Sequence, residues 1–88
     1  MEADDSIFDF PCEFPIKAMG KADQDFDCLV VSLVRKHCPD IPEAAVQTRL
    51  SNGGKYMSVT VTIQAQNRNQ LDNIYHELTA ESRVLFAL

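Results

Sequence analysis

The 88-residue chain is long enough for one domain but too short for a second hydrophobic core, and its 45% hydrophobic content is typical of a globular protein. Its net charge of −5, without a basic cluster, argues against nucleic-acid binding, because phosphate contacts supply much of that affinity. No apolar run approaches the roughly 20 residues of a membrane-spanning helix, and the N-terminus is acidic where a secretory signal is basic. We therefore expect a cytoplasmic protein that binds neither nucleic acid nor membrane.

The three cysteines, Cys12, Cys28 and Cys38, are odd in number and form no C-x-x-C pair. This pattern favours neither a disulfide framework nor a structural zinc site, so we expect no bound metal. Cys28 falls within a predicted helix and is interpreted as a small buried residue, because free cysteine is among the most often buried residue types.

The acidic residues are concentrated at the start of the chain. Five acids and no base occur among the first 13 residues, which leaves eight acids and eight bases in the remainder. Because like charges repel and few apolar groups anchor this segment, residues 1–10 are predicted to be a flexible acidic leader. Residues 11–88 are predicted to form the single folded domain.

The first regular elements are a strand over residues 14–20 and a helix over residues 23–37. In the strand, side-chain character alternates with a period of two, and Gly20 is expected to end it at a chain reversal. In the helix, acids crowd the first turns and bases the last turn, as the helix dipole favours. Apolar positions spaced by three and four residues form one stripe: Phe26, Leu29, Val30, Leu33, Val34 and His37.

A hairpin follows, with strands over residues 45–50 and 55–65. Its turn over residues 51–54 contains Asn and Gly, which tolerate positive φ. The second of these strands alternates without interruption, which indicates one buried and one solvated face of an antiparallel sheet. The buried set is Met57, Val59, Val61, Ile63 and Ala65, and the solvated set is Tyr56, Ser58, Thr60, Thr62 and Gln64.

A second helix and a last strand complete the chain. Asn67 is positioned to cap the helix, with Gln70 at the capping-box position. The helix stripe consists of Leu71, Ile74, Tyr75 and Leu78. Residues 82–88 are predicted as a strand in which Val84, Phe86 and Leu88 alternate with the other side chains.

The order β-α-β-β-α-β predicts an α+β fold, a ferredoxin-like sandwich. Two right-handed crossovers joined by a hairpin give a four-stranded antiparallel sheet of order 4-1-3-2, with both helices on one face. The competing fold is a βαβ unit with a detached hairpin, which would leave both apolar helix stripes poorly covered.

The face of the sheet opposite the helices, the open face, is predicted to carry three basic residues and no acid. Its outward positions are Lys17, Met19, Gln47, Arg49, Tyr56, Ser58, Thr60, Thr62, Gln64, Arg83 and Leu85. Two interpretations stay open: an ordinary solvated face, or a surface that receives a partner or an anion. The candidate ligand or partner surface comprises Lys17, Met19, Gly20, Arg49, Lys55, Tyr56 and Arg83.

Catalytic motifs are missing from the sequence. His37 and His76 lie late on the predicted helices; the first is expected to meet its helix C-terminus and the second to lie on the surface. The segment Ser51-Asn52-Gly53-Gly54-Lys55 lies in a hairpin and opens no helix, unlike a phosphate-binding loop. The open face also lacks the aromatic platform on which RNA-recognition modules stack bases. We expect no enzyme, no catalytic residue and no cofactor.

Residues 10–88 resemble the YbeD family of small bacterial proteins of unknown function. The matching pieces are Phe10-Pro11, Phe14, Lys17-Ala18-Met19-Gly20, Arg35-Lys36-His37, Gly54-Lys55-Tyr56-Met57-Ser58-Val59, Ile74-Tyr75-His76-Glu77-Leu78 and residues 84–88. The resemblance implies a ferredoxin-like fold similar to ACT regulatory domains, a bacterial cytoplasmic location and no established catalysis. It also implies a loose link to lipoate metabolism.

Two functional hypotheses follow. The first is a regulatory or adaptor protein that binds a protein partner or a small anionic ligand, as a monomer or weak homodimer. For an ACT-like domain, the ligand would lie near the turn at Gly20, where glycine permits close approach and the next helix offers free N–H groups. The alternative is an uncharacterised enzyme or an accessory factor linked to lipoate metabolism.

Overall fold

In the computed structural model, which describes residues 9–88, the elements follow the predicted order. Their bounds are β1 Cys12–Lys21, α1 Phe26–Arg35, β2 Val46–Leu50, β3 Tyr56–Ala65, α2 Arg68–Ala80 and β4 Val84–Ala87. A short 3₁₀ turn at Glu43–Ala45 precedes β2, and another at Asn52–Gly54 joins β2 to β3. Gly53 has a φ of 85° in that second turn. Glycine adopts positive φ without steric cost, which suits the Asn-Gly-Gly sequence to this turn.

The sheet has the strand order β2-β3-β1-β4, and all its pairs are antiparallel. β1 and β3 pair along their full length, from Cys12 opposite Ala65 to Lys21 opposite Tyr56. Because β3 also pairs with β2, the hairpin is part of the same sheet rather than detached. The ferredoxin-like α+β fold is therefore confirmed.

Both helices place their apolar stripes on one face of this sheet, and the core lies between the two layers. The buried strand residues are Ile16, Ala18, Val59, Val61, Ile63, Ala65 and Val84. The buried helix residues are Phe26, Val30, Leu33, Val34, Leu71, Ile74 and Leu78. Each large apolar side chain buried here contributes about 1.5–3 kcal/mol relative to exposure. Among residues 9–88, no helix has the length and apolar character needed to cross a membrane.

The N-terminus of α2 is capped as the sequence predicts. The Asn67 Oδ1 atom accepts a hydrogen bond from the Gln70 backbone N–H at 2.8 Å. Gln70 reaches back one residue further than in a standard capping box, since its Oε1 atom accepts from the Gln66 N–H at 2.7 Å. Its Nε2 atom donates to the His37 carbonyl at 2.8 Å, which ties the start of α2 to the end of α1.

The predicted acidic leader lies mostly outside the described residues, which begin at Asp9. Phe10 packs against the core cluster, so this residue belongs to the folded body rather than to a leader. The interpretation of Cys28 as buried is wrong, because its side chain is exposed. Cys28 lies two residues after Phe26, and that spacing places it away from the apolar stripe of α1.

The predicted alternation in the last strand is also wrong. Val84 is buried, but Phe86 lies opposite Met19 on the open face and is 48% exposed. The register shifts between Met19 and Gly20, and Leu85 is the extra residue of this β-bulge. A bulge inserts one residue into the alternation and therefore moves the following side chains to the opposite face.

Candidate functional site

Two rows of side chains cross the open face. The first row runs from Arg49 on β2 through Ser58 on β3 and Met19 on β1 to Phe86 on β4. The second runs from Gln47 through Thr60 to Lys17, which exchanges both backbone hydrogen bonds with Leu88 at 2.7 and 3.1 Å. These rows combine basic, hydroxyl and apolar groups.

The surface between the rows is shallow. A depression of about 410 Å³ is lined by Lys17, Gln47, Thr48, Arg49, Ser58 and Thr60. An adjoining depression of about 290 Å³ is lined by Met19, Arg49, Leu50, Ser51, Asn52, Tyr56 and Ser58. Arg49 and Ser58 line both depressions, so the predicted residues Lys17, Met19, Arg49 and Tyr56 border one continuous surface.

The basic residues of the chain divide into two groups of four. Those in the first group have partners elsewhere: Lys36, Arg68 and Arg83 form ion pairs, and Arg35 donates to the Ile41 carbonyl at 3.0 Å. Those in the second group are Lys17, Lys21, Arg49 and Lys55, and within residues 9–88 none has an acid within 4.0 Å. We call this second group the cationic cluster.

The cationic cluster gathers toward one end of the sheet. Lys21 lies opposite Tyr56 at the end of β1, and the Lys55 carbonyl accepts from the Ala22 N–H at 3.0 Å. This bond holds Lys55 beside the end of β1. Lys21 was missing from the candidate surface because the sequence predicted that the strand ends at Gly20, one residue earlier.

Arg83 does not belong to this surface, and its assignment to the open face is wrong. It lies just before β4 and reaches the segment ahead of α1, where its Nη2 atom is 2.7 Å from Asp25 Oδ1 and 3.4 Å from Asp23 Oδ2. The hydrogen bond from Arg83 lowers the pKa of the Asp25 carboxyl below its usual value. Arg83 thus joins β4 to α1 instead of adding a free cation.

Gly20 lies within β1 and is buried, so the strand does not end there. A Cβ atom at this position would be closer than 3.0 Å to the Arg83 carbonyl oxygen and to the Phe26 ring. The space that glycine leaves is therefore filled by the chain itself. This close packing, rather than ligand access, accounts for glycine at position 20.

The open face is not free of acids, contrary to the sequence expectation. β1 begins at Cys12, two residues before its predicted start, and this adds Glu13 opposite Gln64. A third depression, of about 520 Å³, lies at that end and is lined by Glu13, Asp40, Pro42, Ala44, Ala45, Gln47, Thr62, Ile63 and Gln64. The face is therefore polarised, with the cationic cluster at one end and acids at the other.

Lys36, His37 and Glu77 form a structural cluster between the helices. The Glu77 carboxylate is 3.3 Å from His37 Nε2 and 3.5 Å from Lys36 Nζ. The hydrogen bond to His37, with a further contribution from Lys36, lowers the pKa of Glu77. His76 is exposed, as predicted. Within residues 9–88, no three His, Cys, Asp or Glu side chains lie close enough together to hold a metal ion.

Fold and surface together define a small ferredoxin-like domain with a polarised open sheet face. Residues 5–88 match the model of a family described as a protein of unknown function, DUF493. The chain therefore belongs to this family, the YbeD family, as its sequence pieces predict.

Relatives of similar length have similar sequences. The chain is 44% identical over 84 residues to a UPF0250 protein of Paraburkholderia phytofirmans, covering 96% of this chain and 94% of the relative. It is 44% identical over 82 residues to a UPF0250 protein of Chromobacterium violaceum, covering 93% and 92%. The names of these relatives assign no activity, and the link to lipoate metabolism stays a prediction.

A solved structure shares the fold. The solution structure of protein HP0495 from H. pylori superposes with a TM-score of 0.69 at 14% sequence identity, covering 92% of this chain and 85% of that chain. At this identity the match supports the ferredoxin-like architecture alone.

Proposed function

We propose that this protein is a non-catalytic adaptor or regulatory protein whose cationic cluster binds an acidic segment of a protein partner. The observation that carries the proposal is the placement of Lys17, Lys21 and Arg49 on one face of the sheet, with Lys55 beside the end of β1, in a chain with net charge −5. Unpaired charges of one sign steer an oppositely charged partner and set its register.

The dimensions of the cluster favour an extended segment over a small ligand. Lys17 and Arg49 lie two strands apart, which is about 10 Å, and Lys21 lies four residues beyond Lys17, which is about 13 Å. One small anion cannot contact groups spread this far, whereas a segment with several carboxylates can. Small-molecule sites are also deeply concave and bury most of their ligand, unlike the shallow depressions of this face.

The neighbouring side chains are suited to a protein partner. Met19, Tyr56 and Phe86 lie among or beside the cations on the same face, and Tyr56 and Phe86 are exposed. Aromatic residues, Met and Arg are enriched at protein interfaces relative to other surface. The hydroxyl group of Thr60, which is partly exposed, adds hydrogen-bonding capacity between them.

The test titrates the isotopically labelled protein with an eight-residue peptide of alternating Glu and Phe, and separately with its Lys and Phe counterpart. Only the Glu peptide is expected to shift the amide resonances of β1, β2 and β3 around Lys17 and Arg49. Binding should weaken as salt rises, because exposed charges are screened. Shifts confined to the helices, or equal shifts with both peptides, would contradict the proposal.

A charge-reversal pair tests the same point with a matched control. Lys17→Glu combined with Arg49→Glu is expected to fold normally and to lose at least tenfold in affinity for the Glu peptide. Lys36→Glu combined with Arg68→Glu makes the same change in net charge on the helices and should keep most of the affinity. Equal losses in the two variants would mean that net charge, not this surface, governs binding.

A further inference from the structure

The two outer strands of the sheet differ in how their edges are protected. β2 presents Gln47, Thr48 and Arg49 along its length. Charged and polar side chains of this kind discourage a second strand from pairing with an edge. β4 and the residue after it read Val-Leu-Phe-Ala-Leu and contain no polar side chain at all.

Most of the large apolar side chains in and just after β4 are exposed as well. Leu85, Phe86 and Leu88 are 56%, 48% and 68% exposed. They make up three of the five large hydrophobic residues that are exposed within residues 9–88. β4 is short and bulged at Leu85, but it has no charge or proline to protect it, and an exposed apolar edge with free backbone groups is a template for another strand.

The backbone of this edge has unused hydrogen-bonding groups. Leu88 exchanges two backbone hydrogen bonds with Lys17 on β1, and its carbonyl also accepts from the Tyr75 hydroxyl at 2.6 Å. In an antiparallel pair the orientation alternates, so the N–H and C=O of Ala87 point away from β1. β4 is the last strand of the sheet, and no other strand of residues 9–88 lies on that side.

We propose that β4 pairs antiparallel with β4 of a second copy of this chain. The segment suits itself at its centre: with Phe86 opposite Phe86 of the second copy, Leu85 lies opposite Ala87, so apolar residues meet at these positions, whereas the bulge at Leu85 places Val84 and Leu88 on different faces. Such an isologous contact closes as a two-fold dimer. It also leaves no charged side chain within the paired segment to be buried or repelled. This inference is independent of the proposed function.

The size of the contact sets its strength. Two strands of about five residues bury less than the roughly 1,200 Å² of a stable interface. We therefore expect a weak dimer, with a dissociation constant on the order of 10–100 μM by affinity arithmetic for transient contacts. A continuous eight-stranded sheet would result, with both open faces on the same side.

The first test is sedimentation equilibrium of the full chain from about 5 to about 500 μM, a range set by the expected affinity. The wild type is expected to dimerise across this range, and Phe86→Lys to raise the dissociation constant at least tenfold. Leu50→Lys is the matched control, because Leu50 is a 58% exposed apolar residue at the end of the opposite edge strand. A wild type that is monomeric throughout, or a Leu50→Lys variant that is equally impaired, overturns the proposal.

The second test reads the register directly. In a Cys28→Ser background, which removes the exposed native thiol, Phe86→Cys places two thiols opposite each other in the proposed dimer. Opposite residues in such a pair lie about 4.5–5.5 Å apart, within disulfide range. Mild oxidation should cross-link Phe86→Cys far faster than Leu50→Cys in the same background. Equal rates in the two variants overturn the proposed register even if the protein is dimeric.

Discussion

The two faces of β3 have different side chains and different surroundings. On one face Val59, Val61 and Ile63 are almost fully buried beneath the helices. On the other, Thr60 and Thr62 are partly exposed, and no helix of residues 9–88 covers them. The covered face supplies the stability of the fold, whereas the open face carries cations that have no acidic partner among residues 9–88. Substitutions on the two faces should therefore have separate consequences.

The largest expected effect is that of a charge on the covered face. Val61→Asp should unfold the protein, because an unpaired buried charge costs several kcal/mol. A domain of this size has a total stability of about 4–13 kcal/mol at the usual value per residue. The neighbouring change, Thr60→Asp, points to the open face and should be tolerated. Chemical denaturation followed by circular dichroism measures both variants.

The pair of variants is informative because the two positions are adjacent in sequence and share one strand. Similar losses of stability in Val61→Asp and Thr60→Asp would show that the two faces are not distinct. The description of the open face as a free surface would then be wrong.

Gly20, at the edge of the core, provides a second test of the packing on the covered face. Gly20→Ala should lower the free energy of unfolding by about 1–3 kcal/mol, as expected for overpacking, because its Cβ would collide with Phe26 and the Arg83 carbonyl. Gly53 is the control, since a Cβ there meets nothing and only its φ of +85° is unfavourable. Asn tolerates positive φ, so Gly53→Asn should be milder than Gly53→Ala. At position 20, the Asn variant should be at least as destabilised as the Ala variant. If Asn were milder than Ala by the same amount at both positions, the packing argument for Gly20 would be wrong.

The features of the fold that depend on local sequence patterns, such as strand alternation and helix capping, were predictable from the sequence. The alternation of β3 correctly identified Val59, Val61, Ile63 and Ala65 as buried, but it was wrong for Ser58, which is buried, and Met57 is only partly buried. Asn67 marked the start of α2 by its capping chemistry. Four of the seven candidate surface residues, Lys17, Met19, Arg49 and Tyr56, border the same depressions. Each follows from side-chain period and strand order alone.

The features that the sequence did not predict depend on contacts between distant segments. The Arg83 to Asp25 pair joins residues 58 positions apart, and no periodicity indicates it. The bulge at Leu85 lies in an uninterrupted apolar run, so neither Gly nor Pro marks the change of phase. The error at Cys28 has another origin, because its position outside the apolar stripe of α1 can be read from the sequence. The prediction relied instead on the general preference of cysteine for the protein interior.

A moderate effect is expected where the covering helices begin. Asn67→Ala should destabilise the protein by about 1 kcal/mol, since the first turn of α2 would lose its side-chain cap. Asp25 at the start of α1 makes no side-chain cap bond, so the loss in Asp25→Ala should reflect its ion pair with Arg83 and should shrink at high salt. The free energies of unfolding of both variants, measured at low and high salt, check this difference. An Asn67→Ala effect that also vanishes in salt would mean that the cap is not its cause.

The smallest effect should come from the partly exposed cluster between the helices, at Glu77. The His37 hydrogen bond and nearby Lys36 hold the pKa of Glu77 below its usual value in the folded protein. Ionised Glu77 therefore stabilises the fold above the pKa of the unfolded state, and this contribution is lost as pH falls through the folded pKa. Glu77→Gln should consequently lower stability slightly near pH 7 and not at all in strong acid, so its urea midpoint should vary less with pH than that of the wild type. Because these groups are partly exposed, about 1 M salt should reduce the difference. A Glu77→Gln deficit that persists in acid or is not reduced at high salt would instead indicate lost packing between α1 and α2, and the covered face would then extend further outward than its buried residues show.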